Sequence, residues 1–408
     1  MGRMVKGLTL SVIASSVVMA GGYKIPEQSL HSMALSGANV AHTTGADTNY
    51  DNPANMSFLD ESKSYVEGGI TLVHLPSNIY TLIDPFSGES EAEDIPIPFL
   101  HYVSKPIGDF RWGLSMVVPG GLTKRWESQP QKSFVEEFTL KVVELNPSIA
   151  YKVTDNFSIA GGLRFIYSEG VVKSSGTVSR DMEGDTFELG YNLAMTYKPT
   201  SDINLAATYR SNIDLQEEGT AKLYSGTTLV YNGDASVSVP LPAALNIAIS
   251  KTWQEKFTLE FNYERAFWSQ YKNLDFEYGG TDIGGLTPYF DTPIAKNWKD
   301  TNTFRVGATI EMGNKITAMM GFSIDESPIP VETLGFETPD TDAKIFSMGF
   351  RYQQTENFSW GAAFLYDSKE PISIPAGSTI TNNPVLLNGG SFSGGGAFLT
   401  TVGVAYEY

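Results

Sequence analysis

The 408-residue chain contains no cysteine, so it has no disulfide, no thiolate nucleophile and no Cys-based metal site. It has only four histidines, His31, His42, His74 and His101, and no Gly-x-Ser-x-Gly stretch, which leaves no sequence basis for a serine-hydrolase site. Lys and Arg number 28 against 46 Asp and Glu, a net charge of -18. Such a chain repels polyanions, and nucleic acid is excluded as a partner. Charged residues make up only 18% of the whole, yet no internal window reaches the roughly 20 apolar residues of a membrane helix.

What is abundant is glycine, 39 residues, together with 20 Tyr and 23 Phe, the usage of a β-rich chain with turns, small interior residues and aromatic belts. At the start, Arg3 and Lys6 precede an apolar run from Leu8 to Met19. Val18-Met19-Ala20 offers a cleavage point, so residues 1–20 read as a signal peptide and the mature chain as starting near Gly21.

From about residue 62 the chain alternates apolar and polar residues with period two, the strand signature. In "FSIAGGLRFIY" one face carries Phe157, Ile159, Leu163, Phe165 and Tyr167, and the other Ser158, Ala160, Gly162 and Arg164. The expected strands are 62–76, 96–106, 110–119, 136–153, 156–173, 184–199, 202–217, 236–254, 256–278, 300–312, 315–324, 342–354, 357–368 and 397–408. Short turns at 107–109, 154–155, 200–201, 254–255, 313–314 and 355–356 alternate with longer loops. A soluble sandwich would also alternate, but its strands usually hold about 5–6 residues, whereas these run roughly 10–17, enough to cross a bilayer at a tilt. The reading is an all-β, fourteen-stranded antiparallel transmembrane barrel over 62–408, closed by "VGVAYEY". Residues 21–61 lack alternation and are too polar for lipid. They are expected to form a small N-terminal plug with short helices, or to lie in the periplasm.

Eight pieces carry a resemblance: "GYKIPEQSLHSMALSGANVA" followed by "NPA"; "FRWGLSMVVPGGLTKRW"; "LNPSIAYKVTDNFSIAGGLRFIY"; "LGYNLAMTYKPTSDINLAATYRS"; "VPLPAALNIAI"; "FWSQYKNL"; "NWKDTNTFRVGATI"; and "SIDESPIPVETLGFETPDTDAKIFSMGFRY". In this order they resemble the FadL/TodX (OMPP1) family of outer-membrane transporters for long-chain fatty acids and other hydrophobic compounds. The resemblance implies a plugged barrel in the outer membrane of a Gram-negative bacterium. It implies passive uptake of a hydrophobic small molecule, captured at the outer face and released by hatch movement through a gap in the wall. Outer-membrane lipid and lipopolysaccharide are then the surroundings, the chain is expected to be a monomer, and no cofactor, metal or enzymatic activity is expected. A general diffusion porin and a structural barrel are the alternatives.

Several positions stand out. Pro53 fixes its own φ and restricts Asn52, whose side chain can bond nearby backbone, so Asn52-Pro53-Ala54 forms a rigid corner. The resemblance places that corner in the hatch as a gating element, with Asn55 following where a glycine or small apolar residue is usual. Pro119-Gly120-Gly121 interrupts the third strand, since Pro lacks an N–H and Gly weakens a strand, and is the candidate wall gap. For a carboxylate ligand the fatty-acid branch uses basic groups at positions that hold Ser174 and Ile294 here; Lys173 and Lys296 lie beside them, and with Asp325 they are the candidate ligand-path residues. Glu89, Glu91, Glu93 and Asp94 form an acidic run that reads as solvated surface rather than a cation site.

Overall fold

The computed structural model describes residues 21–280, 282–377 and 385–408; the signal-peptide expectation for 1–20 lies outside them. Fourteen antiparallel strands close on themselves. They are β1 (Tyr65–Leu75), β2 (Glu93–Val103), β3 (Phe110–Val117 and Gly121–Arg125), β4 (Glu137–Thr154) and β5 (Phe157–Ser175). There follow β6 (Val178–Thr200), β7 (Ile203–Arg210 and Ile213–Ser225), β8 (Thr228–Leu241 and Ala243–Trp253), β9 (Phe257–Phe267) and β10 (Thr301–Glu311). The last four are β11 (Ile316–Asp325), β12 (Ala343–Gln353), β13 (Phe358–Lys369) and β14 (Ala397–Glu407). Closure is made by β1 against β14, from Tyr65↔Glu407 to His74↔Phe398. Closure removes the free edges that an open sheet would leave in lipid.

The alternation decides which side faces lipid. Large apolar side chains stand exposed on the outside of every strand, among them Leu72, Leu163, Leu193, Ile247, Phe304, Met348 and Val402. Inside lie Ser158, Arg164, Asn192, Glu260, Asn262 and Arg305, all buried. Aromatic pairs mark both rims: Phe110–Tyr151 (4.8 Å) and Trp253–Phe257 (5.6 Å) by the short turns, Tyr366–Phe398 (4.7 Å) toward the other end. This is the polarity of a membrane barrel, greasy outside and polar within.

Two connections differ from the expected rhythm. The segments between β5 and β6 and between β7 and β8 are not long loops but tight turns at Gly176-Thr177 and Gly226-Thr227, so both hairpins run far past the apolar band. Gly226 takes φ 58°, a turn conformation that glycine adopts without strain, and the alternation continues through 178–183 and 218–225, which keeps the ladder going. The ninth strand also ends earlier than the sequence pattern indicates, at Phe267, because Trp268–Gln270 turns into a 3-10 helix.

Residues 21–64 fold into the lumen. They hold helix α1 (Leu30–Ala34), helix α2 (Thr48–Asp51) and a 3-10 helix Pro53–Phe58. Helix α1 has Ser29 as its N-cap, with a reciprocal bond between Ser29 and Ser32. It lies against glycines of adjacent strands. A Cβ on Gly307 would sit 2.9 Å from Ala38 Cβ, on Gly321 2.2 Å from the Leu35 backbone, on Gly349 2.7 Å from Ala34 Cβ, and on Gly361 2.6 Å from Leu30 Cδ2. Only glycine at these wall positions lets the plug approach so closely.

Candidate functional site

The site is the seam between the plug and the wall, built upward from Asn52. Its φ of -156° is extended, and Pro53 then starts the 3-10 helix with φ preset and no N–H to satisfy. Asn52 Oδ1 accepts from Ala54 N (3.1 Å), while Asn52 Nδ2 donates to Val40 O (2.8 Å) and to Thr196 Oγ1 of β6 (2.8 Å). Thr196 Oγ1 in turn donates to Asn55 Oδ1 (2.8 Å), whose Nδ2 reaches Thr43 Oγ1 (2.7 Å). Asn52, Pro53, Ala54 and Asn55 are all buried. The departure at Asn55 is therefore a second amide that ties the same corner to the same wall hydroxyl.

Charged groups hold the remainder. Glu260 of β9 accepts from three consecutive backbone N–H groups, Val40 (2.6 Å), Ala41 (2.9 Å) and His42 (2.7 Å). Asp47 accepts from Ser29 Oγ and His31 Nδ1, each at 2.9 Å, and Arg351 of β12 donates Nε to His31 Nε2 (3.0 Å) and Nη2 to Glu67 (2.8 Å). Burial works to raise Asp47, but the hydrogen bond from His31 and the nearby Arg351 guanidinium outweigh it and hold the carboxyl below the ordinary range. Ligand atoms of His31, Asp47 and Glu67 lie within 4.8 Å of one another, a spacing a metal could use; Arg351 already supplies the positive charge there. Burial pushes Glu27 up to about 7, and it lowers His42 to about 4 with help from Lys198 and His31.

The third strand breaks at 118–120. Val117 pairs with Glu144 and Gly121 with Lys141, so Val118, Pro119 and Gly120 oppose only Val142 and Val143, a bulge. On the other side β3 pairs with β2 only from Gly113↔Val103 to Met116↔Leu100, and the outer part of β2, from Glu93 to Phe99, has no ladder partner on β3. The plug's first residues stand behind this slot: Ile25 N donates to Pro119 O (2.9 Å), Gly121 N to Tyr23 O (2.8 Å), and Gln28 bonds both Val118 N (2.9 Å) and Val118 O (2.7 Å). Pro96 and Pro98 are the residues the sequence reading missed. The β1–β2 ladder runs through both without interruption, so their donorless nitrogens face the slot. Pro-x-Pro within a strand was the available signal.

Above the bulge lies a large cluster of buried apolar side chains. Trp268 and Trp298 meet edge to face at 4.8 Å, Tyr23 packs on Trp268 at 4.9 Å, and Phe336 lies against Tyr80 (5.1 Å) and Trp126 (5.2 Å). Two cavities flank the plug: one of about 70 Å³ lined by Pro26, Val40, Tyr50, Pro119, Leu241 and Arg210, and one of about 250 Å³ lined by His31, His42, Glu67, Glu311, Arg351 and Glu407. The outer-loop turn at 126–136 and the loops at 268–300 and 326–342 contribute Trp126, Trp298 and Phe336 to this cluster.

The profile described as "Outer membrane protein transport protein (OMPP1/FadL/TodX)" matches residues 11–406. The chain belongs to this family. Like the OMPP1/FadL/TodX proteins it is an outer-membrane protein of a Gram-negative bacterium. It is 22% identical over 282 residues to the long-chain fatty acid transport protein of Escherichia coli O6:H1 (strain CFT073), covering 58% of this chain and 61% of that one. It is 21% identical over 385 residues to outer membrane protein P1 of Haemophilus influenzae, covering 79% and 82%. In fold it is similar to a Pseudomonas aeruginosa FadL homologue (TM-score 0.80, 18% identity, 95% and 99% covered). It is also similar to the Pseudomonas putida toluene transporter TodX (0.72, 17%, 96% and 99%). At these identities the structural likeness speaks for the fold alone.

Within this FadL-type frame the three ligand-path candidates have separate partners. Lys173, at the outer end of β5, is partly exposed beside Glu137 (3.4 Å). Lys296 is buried in the 268–300 loop and paired with Glu337. Asp325 ends β11, buried, accepting from Thr303 Oγ1 (2.5 Å) next to Gly21. Of the acidic run, Glu93 binds Arg125 inside the rim while Asp94 faces outward to His74 (2.8 Å), so the four carboxylates do not converge.

Proposed function

We propose that this chain is a passive outer-membrane channel for hydrophobic small molecules, which enter the apolar cluster above the bulge from outside and leave sideways through the slot between β2 and β3. The observation that carries the reading is the broken ladder at Val118-Pro119-Gly120, backed on the inside by Tyr23, Ile25 and Gln28. A greasy solute loses nothing by passing from apolar side chains into lipid, whereas a wet central pore would expose it to water. Asn52, Pro53 and Ala54 hold the gate, and movement of residues 21–28 opens it. Pro119, Gly120 and Gly121 form the exit's lower lip.

In this reading Asp325 steadies the start of the plug, and Lys173 and Lys296 border the ligand's path with their charge already matched by Glu137 and Glu337. Neutral hydrocarbons and fatty acids both remain within the substrate class. The protein acts as a monomer among outer-membrane lipids and lipopolysaccharide and carries out no covalent chemistry. A general porin is a poorer fit, because residues 21–64 fill the lumen.

The test is uptake by a deletion strain, with and without the gene restored, on laurate, oleate, dodecane and toluene. Restoration should raise uptake of at least one of these and leave glucose and small ions unaffected. Equal uptake with and without the protein, or a large steady current in planar bilayers, would overturn the reading.

A further inference from the structure

Among the described residues Arg111, Lys124, Arg164, Arg180, Lys296 and Arg305 are buried, and so is the side chain of Lys369, which pairs with Asp340. Arg164, Lys296 and Arg305 each pair with a carboxylate, Glu144, Glu337 and Glu264 respectively. Arg111 is spread over backbone carbonyls of Met56, Leu59, Asp60, Lys63 and Ser104. Arg180 lies over the Phe276 ring at 3.9 Å. Lys124 is the remaining case.

Lys124 is 3% exposed, and its ammonium hydrogen-bonds only to neutral side chains, Asn78 Oδ1 and, at 3.5 Å, Ser90 Oγ. Among the described residues no carboxylate comes within 4.0 Å of it, and residues 1–20, 281 and 378–384 contain no Asp or Glu. Glu93, the acid on the neighbouring strand, is taken by the guanidinium of Arg125. A buried ammonium without a directly paired counter-ion is costly, so burial disfavours its charged form and an arriving anion would restore it.

The surroundings say what kind of anion. Leu122, Lys124 and Trp126 alternate onto one face, and the partners across the ladder, Leu140 opposite Leu122 and Phe138 opposite Lys124, share it. All four apolar residues belong to the buried apolar cluster above the bulge, and Tyr80, on the same side of its short strand as Asn78, belongs to it too. The amine of Lys124 thus projects among apolar side chains at the upper end of the slot, with Lys369 and Glu93 the nearest charges acting on it. We propose that Lys124 is a specificity-determining residue that receives the carboxylate of an amphiphilic ligand while the tail lies against Leu122, Trp126, Phe138 and Leu140. The proposal rests on the channel reading above and narrows it, for this site, to carboxylates over neutral compounds.

The measurement is equilibrium binding of laurate and of methyl laurate to the intact purified protein. The two share one tail and differ in the charge. Wild type should bind laurate at least about tenfold more tightly than methyl laurate, the span of one charge-assisted hydrogen bond. Lys124→Met should bring that ratio close to one with the methyl laurate affinity unchanged, and Lys124→Arg should retain it. A ratio near one in wild type overturns the proposal without any variant, and leaves the channel reading standing if both compounds bind. A Lys124→Met protein that keeps the wild-type ratio overturns it as well. Binding of neither compound overturns the channel reading, and the proposal with it.

Discussion

Asn52 of the plug donates to the hydroxyl of Thr196 on β6 at 2.8 Å, and the same hydroxyl donates onward to Asn55 three residues along the plug. One wall side chain thus fixes both ends of the corner, and the two amides have no solvent to fall back on because both are buried. Removing one member leaves the others unsatisfied, which costs more than the bond itself.

Asn52→Ala should therefore lose about 2 kcal/mol of local stability at the corner without unfolding the barrel. Hydrogen exchange at Ala54 and at residues 40–43 should accelerate by more than tenfold while β10–β13 stay protected, and heat-modifiable migration should persist. Unchanged exchange at those positions would show that the corner is held by packing alone.

Deleting Pro119 sets two residues of β3 opposite Val142 and Val143 in place of three. The ladder is then regular and the slot narrows. Uptake of the transported compound should fall by about tenfold with the barrel still folded, since the strand gains rather than loses regular pairing. Wild-type uptake from this deletion would remove the slot from the pathway.

The plug should respond to pH in two opposing ways. Glu27, raised to about 7 by burial, binds its proton more tightly folded than unfolded, so its contribution is full below its ordinary value near 4.5 and is lost as pH rises through about 7. His42, lowered to about 4, contributes fully above its ordinary value near 6.5 and loses that contribution as pH falls toward about 4. Glu27→Gln should abolish the alkaline arm only. Protease susceptibility of residues 21–64 between pH 4 and 8 is the readout, and an unaltered profile in the variant would assign the alkaline arm elsewhere.

Glu144 accepts from Arg164 Nη2 at 2.9 Å and from Arg210 Nη1 at 2.7 Å, and it is fully buried. Glu144→Gln strands two guanidinium groups beside the smaller cavity and should destabilise the barrel by about 3 kcal/mol, seen as a lower thermal unfolding midpoint. Pairing Glu144→Gln with Arg210→Met should recover part of the loss.

The sequence by itself determined the strands, their number and which side of each meets lipid, because a period-two alternation over ten or more residues survives any tertiary arrangement that keeps one face in hydrocarbon. It also determined that 21–61 stands apart from the wall, since a polar, non-alternating segment has no place in the ladder. The corner at Asn52-Pro53-Ala54 was legible as a stiff turn because proline acts on its own and the preceding residue. Its anchor was not: Thr196 is 144 residues away, and nothing local distinguishes it from other inward-facing hydroxyls.

Only the tertiary structure decided the rest. Gly307, Gly321 and Gly349 look like weak strand positions in sequence and prove to be the bed of α1 and of residues 35–38 that follow it, because close approach is a property of two surfaces. Pro96 and Pro98 gain meaning only once β2 is seen to lack a partner on its β3 side there. The same holds for charge: Lys173 and Lys296 stood out by position, yet folding gave each a carboxylate, while Lys124, unremarked in sequence, was carried to a place where no described carboxylate pairs with it. A side chain's neighbours in a barrel come from strands dozens of residues distant, so pattern can place it on a face and only closure of the sheet can say what it meets there.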